Sequence, residues 1–291
     1  EPRTGHPSVH DLAVLPYTSG TTGHPKGCCH THRTVLASNI ASQVWRGLHA
    51  DAVFLCVAPL FHMLGMQNGM NMPLTLGGTI VMMPRWDAAR AVALVERYRV
   101  TVWTAPPAMV IDFFAQPSAQ TSDLSSLALL SGGGAAMPEA VSKMLFEQFG
   151  LTYNEAYGLS ETAAFLHANP SARGKRQCLG MPTQGVHSRI VDPETLQELS
   201  QGEVGELVIT TLNPDYPLIR FGTGDLSAVL PGQCPTGRTN TRIKGWMGRA
   251  DQTTKVRGMF VHPGQVAEIV KRFPEVRKAR LVVSGEMAND R

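Results

Sequence analysis

Residues 17 to 27 read YTSGTTGHPKG and place hydroxyl, glycine and lysine residues close together. Glycines let backbone N–H groups converge in a turn, the hydroxyls add neutral donors, and Lys26 adds a positive charge. These groups suit the oxygens of a polyphosphate. Taken alone, the stretch fits a solvated glycine and threonine turn equally well.

The spacing of this loop excludes the commonest phosphate-binding loop, which requires G-x-x-x-x-G-K-[ST]. Here Gly20 and Gly23 are too close together, Lys26 follows Pro25, and Gly27 occupies the position of the hydroxyl that would bind Mg²⁺. The chain is therefore not predicted to be a P-loop nucleotide hydrolase.

Three further stretches carry polar residues in short glycine-containing motifs. They read YGLSET at 157–162, TGD at 223–225 and GRAD at 248–251. Together with the loop, and in this order, they resemble the motifs of the adenylate-forming enzymes, the superfamily of acyl-CoA synthetases, luciferases and peptide-synthetase adenylation domains. One such motif would be weak evidence, but four in order leave little room for chance.

Two branches of that superfamily are represented in the chain. The section most similar to phenylacetate–CoA ligases runs from RFGTGDLSAVLPG through RGMFVHPGQVAEIV. Three earlier stretches are similar to fatty-acyl and general acyl-CoA synthetases: SGTTGHPKG, PLFHMLGM and YGLSET. The resemblance therefore leaves the acid open between fatty and aryl compounds.

The reaction that the resemblance implies is ATP-dependent ligation of a carboxylic acid to CoA. An acyl-adenylate forms with release of pyrophosphate, and the acyl group then passes to the thiol of CoA. The implied cofactors and co-substrates are ATP, Mg²⁺ and CoA, and the implied partner is a small-molecule carboxylic acid. An adenylation domain that loads a carrier protein and a non-catalytic nucleotide-binding relative are the alternatives.

These alternatives differ in the residues they require. The chain has no carrier-type serine motif, which slightly favours CoA as the acceptor. A protein that only binds a nucleotide would not require Lys26, Glu161, Asp225 and Arg249 together, so their joint presence argues against the non-catalytic alternative.

The resemblance also implies catalytic roles for individual residues. Lys26 would contact the β- and γ-phosphates, Glu161 would be the Mg²⁺ ligand, and His62 would orient the nascent acyl-adenylate. Asp251 is the implied hinge of a swinging C-terminal domain, and Gly258 would line the channel for the pantetheine arm of CoA.

The nucleotide-binding residues implied by the resemblance come from all four motifs and from a glycine turn at 132–134. They are Thr18, Ser19, Gly20, Thr21, Thr22, Gly23, Gly133, Gly134, Tyr157, Gly158, Ser160, Asp225 and Arg249. In this set Tyr157 would pack on the adenine, and Asp225 would bind the ribose hydroxyls.

Each of these side chains also has an ordinary structural interpretation. Glu161 could be a solvated acid, Tyr157 a core aromatic residue, His62 a satisfied structural histidine, and Asp225 and Arg249 salt-bridge partners. The methionines after His62 could line an acyl pocket or pack in the core; they are Met63, Met66, Met70 and Met72.

Alternating hydrophobic runs and amphipathic stretches indicate the elements that must position these residues. Buried strands are predicted over 52–60, 76–84, 100–107 and from residue 127. One helix is predicted over 31–46 with Thr31 as N-cap and another over 87–100. A third helix is predicted to have Pro138 in its first turn and to end at Gly150. Short glycine-broken strands follow from about residue 178, and a last helix and strand are predicted over 264–273 and 279–285.

This order predicts an α/β fold with layered, mostly parallel sheets and helices. We expect the α/β part of a large adenylating domain over 1–177, a smaller β-rich subdomain over 178–248, and over 249–291 the hinge and the beginning of a small α+β C-terminal domain.

Composition limits the remaining possibilities. Lys and Arg number 26 against 23 Asp and Glu, and the net charge of +3 is too weak to argue for nucleic acid. No apolar run reaches the roughly 18 residues of a membrane span, and no signal peptide is visible. Five cysteines without a C-x-x-C pair favour reduced thiols in a cytoplasmic protein. A homo-oligomer stays open.

One element of the resemblance is missing. The superfamily carries a catalytic lysine in a Pro-x-x-x-x-Gly-Lys context near the end of its C-terminal domain, and nothing after Lys26 is similar to it. We therefore expect this chain to be a fragment of a longer enzyme that binds ATP or acyl-AMP but adenylates poorly by itself.

Overall fold

The computed structural model describes residues 5–18, 26–163, 165–170, 174–176, 178–234, 237, 239–250, 254–256, 259–261, 263–273 and 275–280. Within these ranges the strands form one seven-stranded sheet, one three-stranded sheet and three two-stranded pairs.

Sixteen strands lie within the described residues. They are β1 (Leu12–Val14), β2 (Tyr17–Thr18), β3 (Lys26–Gly27), β4 (His30–Thr31), β5 (Val53–Cys56), β6 (Thr79–Met82), β7 (Val102–Thr104), β8 (Leu129–Gly132), β9 (Tyr153–Tyr157), β10 (His167–Ala168), β11 (Met181–Pro182), β12 (Val186–Val191), β13 (Val204–Thr211), β14 (Phe221–Ala228), β15 (Thr254–Val256) and β16 (Met259–Val261).

The helices lie mainly between the strands of the large sheet. They are α1 (His32–Arg46), α2 (Met63–Gly65), α3 (Met72–Leu76), α4 (Ala88–Tyr98), α5 (Pro107–Phe114), α6 (Glu139–Phe149) and α7 (Pro263–Arg272), with a π-helix at Met66–Asn71 and 3₁₀ turns at Pro117–Gln120 and Ser160–Thr162.

The large sheet has the strand order β11-β10-β9-β8-β7-β5-β6. Strands β5 to β9 pair in parallel, and β10 and β11 are antiparallel additions at one edge. Helices α4, α5 and α6 connect successive parallel strands, as parallel pairing requires. The predicted α/β class with mostly parallel strands is confirmed.

The core of this sheet is aromatic and aliphatic. Trp103 on β7 and Phe113 on α5 are fully buried, and their ring centroids lie 4.9 Å apart. Tyr153 is also buried, and its hydroxyl donates to the Ala105 carbonyl at 2.8 Å. These contacts fix the strands whose ends carry the candidate site.

Helix α1 begins and ends where its sequence predicts. Thr31 has an extended backbone, and its Oγ1 accepts a hydrogen bond from the Thr34 amide at 3.2 Å. After Arg46 the chain leaves the helix through Gly47. In α6 the predicted end at Gly150 is confirmed, but Pro138 is the N-cap residue and not part of the first turn.

The glycine loop is bounded by a hairpin. Tyr17 pairs with Gly27 and Thr18 with Lys26 in the antiparallel pair β2–β3. Before the helix predicted over 31–46 begins, the chain forms a further short strand, β4 at His30–Thr31. The helix N-terminus therefore does not follow the loop directly, because the two ends of the loop pair with each other first.

A smaller antiparallel sheet, β12-β13-β14, follows the large one. Its buried side chains include Ile190, Leu207 and Ile209. This confirms the predicted series of short strands without intervening helices. Strand β11 at Met181–Pro182 lies beyond residue 177 and still belongs to the large sheet. The predicted domain division after residue 177 stays a prediction.

The last described elements agree with the sequence in part. Helix α7 at Pro263–Arg272 confirms the helix predicted over 264–273, and β15 pairs with β16. The strand predicted over 279–285 lies mostly outside the described residues. Among the described helices, none has the length and apolarity needed to cross a membrane.

His167 joins the two sheets. It is fully buried on β10, and its Nε2 lies 2.7 Å from Oγ of Ser188 on β12. Burial lowers the pKa of His167 to about 3, because a charged imidazolium would lose its hydration. The ring is therefore neutral in the folded protein at neutral pH.

This lowered pKa predicts a pH dependence of stability. An unfolded histidine has a pKa of about 6.5, so between that pH and about 3 the unfolded chain binds a proton that His167 does not bind in the folded state. The free energy of unfolding should fall as pH decreases through this window. Urea unfolding at several pH values should show a smaller slope for His167→Gln, with some slope left because burial also lowers the pKa of His30. An unchanged slope would contradict the assignment.

Candidate functional site

A buried carboxylate lies at the centre of the candidate site. Asp225 on β14 is 7% exposed. Its Oδ2 accepts from the Tyr157 hydroxyl at 2.7 Å, and its Oδ1 accepts from Trp246 Nε1 at 3.0 Å and from the Arg249 guanidinium at 3.2 Å. We call Tyr157, Asp225, Trp246 and Arg249 the Asp225 cluster.

Backbone pairing brings the TGD and GRAD motifs together. Asp225 and Arg249 form an isolated antiparallel bridge, and the Leu226 amide donates to the Gly248 carbonyl at 2.8 Å. The Arg249 guanidinium also donates to the Thr223 carbonyl at 3.0 Å. Two motifs that are far apart in sequence therefore form one wall of the site.

Gly224, between Thr223 and Asp225, is required by this packing. Its φ is +71°, and a Cβ at this position would overlap the guanidinium of Arg249. Only glycine allows both the left-handed backbone and the close approach of the arginine.

Electrostatics keep the Tyr157 hydroxyl protonated. Burial, followed by the nearby negative charge of Asp225, raises the pKa of Tyr157. The Tyr157 hydroxyl therefore stays protonated and remains a donor to Asp225. Asp225 and Arg249 form the salt bridge that the sequence offered as an alternative, but they form it with each other inside the candidate site.

A glycine turn lies next to the strand that carries Tyr157. Gly133 follows β8, and a Cβ there would overlap the carbonyl oxygen of Ala156, the residue before Tyr157. Gly134 has φ of +83°, and Gly158 on the far side of Tyr157 is exposed. The structure thus brings both predicted glycine segments to the end of β9.

Glu161 lies in the 3₁₀ turn Ser160–Thr162, one turn beyond Tyr157. Its side chain is half-buried, and a cavity of about 40 Å³ beside it is lined by His30, Thr34 and Tyr216 among others. Burial and then the negative charge of Glu161 raise the pKa of the Cys28 thiol to about 11. The predicted metal ligand therefore lies close to the strand that leaves the glycine loop.

Lys26 and Thr18 lie opposite each other at the mouth of that loop. Thr18 Oγ1 contacts the Lys26 carbonyl at 3.5 Å, and Lys26 is exposed. The loop residues Ser19, Gly20, Thr21, Thr22 and Gly23, the hinge residue Asp251 and the channel residue Gly258 lie outside the described residues.

His62 caps the short helix α2. Its Nδ1 accepts from the Leu64 amide at 3.1 Å, and the residue is exposed. The methionines after it are divided between two environments: Met63 and Met72 are buried in the core, while Met66 and Met70 are partly exposed. The role of His62 beside an acyl-adenylate stays a prediction.

Sequence reasoning missed three residues of this region. Trp246 completes the Asp225 cluster, His30 Nε2 lies 2.6 Å from the Ser160 carbonyl, and Gln67 contacts the Ala163 carbonyl at 3.2 Å. The only visible signal was a lone tryptophan in a glycine-rich and basic stretch, residues 235–251, which we call the connector. The other two contacts depend on long-range packing.

The family model of the AMP-binding enzyme matches residues 1–213. The chain therefore belongs to this family, within the adenylate-forming superfamily.

Two curated relatives and one solved structure illustrate the similarity. The chain is 34% identical over 210 residues to 4-coumarate–CoA ligase 1 of Oryza sativa subsp. japonica, which covers 68% of this chain and 37% of the relative. It is 31% identical over 203 residues to a long-chain-fatty-acid–CoA ligase of Bacillus subtilis, and this match covers 69% of this chain and 36% of the relative. ATP-bound MatB from Rhodopseudomonas palustris has the same fold, with a TM-score of 0.76 and 23% identity. The match covers 92% of this chain and 54% of the MatB chain.

The chain thus spans little more than a third of the length of these two relatives. The similarity to MatB concerns the fold, which supports the architecture described above.

The Asp225 cluster predicts a difference between two tyrosine substitutions. Tyr157→Phe removes a donor to a buried carboxylate, whereas Tyr153→Phe removes a donor to a neutral carbonyl. Hydrogen bonds to charged groups contribute about 1.5–3 kcal/mol and neutral ones about 1 kcal/mol. Urea unfolding should show the larger loss for Tyr157→Phe, and equal losses would show that the Asp225 carboxylate does not depend on this hydroxyl.

Proposed function

We propose that the protein containing this chain activates a carboxylic acid with ATP as an acyl-adenylate and transfers the acyl group to CoA. The observation that carries this proposal is the Asp225 cluster, with the glycine turn against Ala156 beside it. A buried, preorganised carboxylate next to an aromatic ring and an exposed backbone turn suits the ribose and base of a nucleotide.

The hydrogen-bonding capacity of Asp225 is compatible with a ribose. A carboxylate has about four acceptor directions, and the described donors use two on Oδ1 and one on Oδ2. The remaining direction on Oδ2 is available to one ribose hydroxyl. We infer that Tyr157 packs on the adenine while its hydroxyl holds the carboxylate in place.

The phosphates would extend from the ribose toward the glycine loop. Thr18 and Lys26 are located at its mouth, and loop residues 19–23 would supply backbone and hydroxyl donors. Lys26 would contact the β- and γ-phosphates, and Gly133, Gly134, Gly158 and Ser160 would line the path between them.

The donor set around Glu161 fits Mg²⁺. In the described part of the chain, no group of three or more His, Cys, Asp and Glu side chains could form a complete metal cage. Mg²⁺ usually takes one or two carboxylates together with substrate phosphates, and the half-buried Glu161 offers one carboxylate. The ion would reduce the negative charge of the phosphates.

The reaction has two steps. A carboxylate oxygen of the acid forms a bond to the α-phosphorus, and the bond from that phosphorus to the bridging oxygen breaks, so that pyrophosphate leaves. The thiol of CoA then releases its proton to solvent and its sulfur forms a bond to the acyl carbon. The bond from that carbon to the phosphate oxygen breaks, so that AMP leaves. His62 would orient the adenylate, and Asp251 and Gly258 would serve as hinge and channel of the second step.

The names of the two relatives support this reaction class but differ in the acid. One is a ligase for 4-coumarate, an aryl acid, and the other for long-chain fatty acids. We infer an aryl or fatty acid substrate for this protein.

Glu161→Gln tests the reaction and the role of the carboxylate together. In the full-length natural protein, pyrophosphate release with a panel of aryl and fatty acids should require ATP and Mg²⁺ and should lead to an acyl-CoA when CoA is added. Loss of a metal-binding carboxylate should reduce the rate by at least about tenfold. Glu147→Gln, at an exposed acid of α6, is the matched control and should leave the rate unchanged.

Three outcomes separate the alternatives. Adenylate formation that is indifferent to CoA would support a carrier-loading domain, and silence across the panel would support a non-catalytic relative. An active protein whose rate falls equally in both glutamine variants would remove Glu161 from the proposed site.

Gly224→Ala tests whether the Asp225 cluster binds the nucleotide. The new Cβ would displace the Arg249 guanidinium from Asp225, so the KM for ATP should rise several-fold. Gly232→Ala is the matched control, because Gly232 has nearly the same φ of +75° but nothing within 4 Å of its Cβ position. Both variants carry the left-handed backbone penalty of about 1–2 kcal/mol, so equal KM values for ATP would contradict the proposal.

A further inference from the structure

The turn that carries Glu161 is held in a conformation that its own sequence does not favour. The 3₁₀ turn Ser160–Thr162 ends at Ala163, which has φ of +53°. A left-handed backbone costs a non-glycine residue roughly 1–2 kcal/mol, and Ala163 is 2% exposed. Contacts from outside the turn must offset this cost.

Two side chains bind the carbonyl of Ala163 from different elements. Ser38 on α1 donates through Oγ at 2.9 Å, and Gln67 in the π-helix donates through Nε2 at 3.2 Å. Together they use both lone pairs of this carbonyl. The backbone after Glu161 is therefore fixed to α1 and to the π-helix.

The other end of the turn is held by His30. Its Nε2 donates to the Ser160 carbonyl at 2.6 Å, and the side chain is buried on β4. Burial lowers the pKa of His30, so the ring is neutral at physiological pH and Nε2 carries its proton.

Gln67 is itself fully committed. It is 3% exposed, its Nε2 also donates to the Val35 carbonyl at 3.1 Å, and its Oε1 accepts from Asn71 at 2.8 Å. The π-helix that carries it begins four residues after His62. This side chain therefore joins the segment of His62 to the turn of Glu161.

We propose that Gln67, assisted by Ser38 and His30, is a positioning residue that sets the place of the Glu161 carboxylate. The inference rests on the proposed adenylate-forming function. We assign Gln67 no contact with substrate or metal, and it acts only through the backbone that carries Glu161.

Gln67→Met tests this role in the full-length natural protein. The methionine preserves the size of the side chain and removes its hydrogen bonds. A displacement of the carboxylate by about 1 Å can reduce a rate by about 100-fold, and a smaller displacement should still lower the rate of pyrophosphate release by at least about tenfold. The Mg²⁺ concentration for half-maximal rate should rise, while the KM for the acid should stay within about twofold.

Gln43→Met is the matched control. Gln43 belongs to the same polar region and donates to Asn39 at 2.6 Å, but its described contacts do not include the turn. It should lose stability in urea unfolding and keep both the rate and the Mg²⁺ dependence. Similar stability losses with unchanged Mg²⁺ dependence in both variants would assign Gln67 a structural role only and overturn the inference.

Ser38→Ala is the second variant if Gln67→Met does not fold. It removes the other donor to Ala163 and should raise the required Mg²⁺ concentration several-fold; no rise overturns the inference. Failure of the proposed function can be distinguished from failure of this inference alone. In the first case, the wild-type protein forms no adenylate or Glu161→Gln keeps full activity. Either result removes this inference as well.

Discussion

The burial of the Asp225 carboxylate is the constraint on which the rest of the structure depends. Moving an ionised carboxylate out of water costs several kcal/mol unless donors replace its hydration. The replacements come from different parts of the chain: Tyr157 from the end of the large sheet, and Trp246 and Arg249 from the connector after the small sheet. The two sheets and the connector cannot separate without exposing this charge or leaving it under-compensated.

A buried ion pair is weak evidence for stability, since well-packed apolar residues often serve a fold equally well. What the cluster provides is orientation. The donors to Asp225 are in place without a ligand, so the ribose proposed to bind here would meet a carboxylate whose position is already fixed. Gly224 contributes to this orientation, because its left-handed backbone and its lack of a Cβ leave room for the Arg249 guanidinium beside Asp225.

Local signals account for the parts of the fold that could be predicted. Helix α1 begins after Thr31 and ends before Gly47, and both residues cap it through contacts within a few residues. The apolar run at 52–60 is long enough to indicate a buried strand. The hairpin β2–β3 has only two residues on each side, too few for any periodicity. The TGD and GRAD motifs predicted Asp225 and Arg249 as site residues, but their direct contact depends on the pairing of segments separated by a connector.

The contact of Gln67 with Ala163 comes from an element that begins where the recognised motif ends. The motif at 59–66 drew attention to His62, whose ring accepts from its own turn at Leu64. The connection to Glu161 comes from the π-helix that follows, where helical register is altered and side chains point in directions that a 3.6-residue repeat does not predict. Asn39 reinforces this arrangement by donating to the backbone carbonyl of Gln67 at 3.1 Å. The contact of Gln67 with this distant turn therefore requires the folded arrangement of α1, the π-helix and β9.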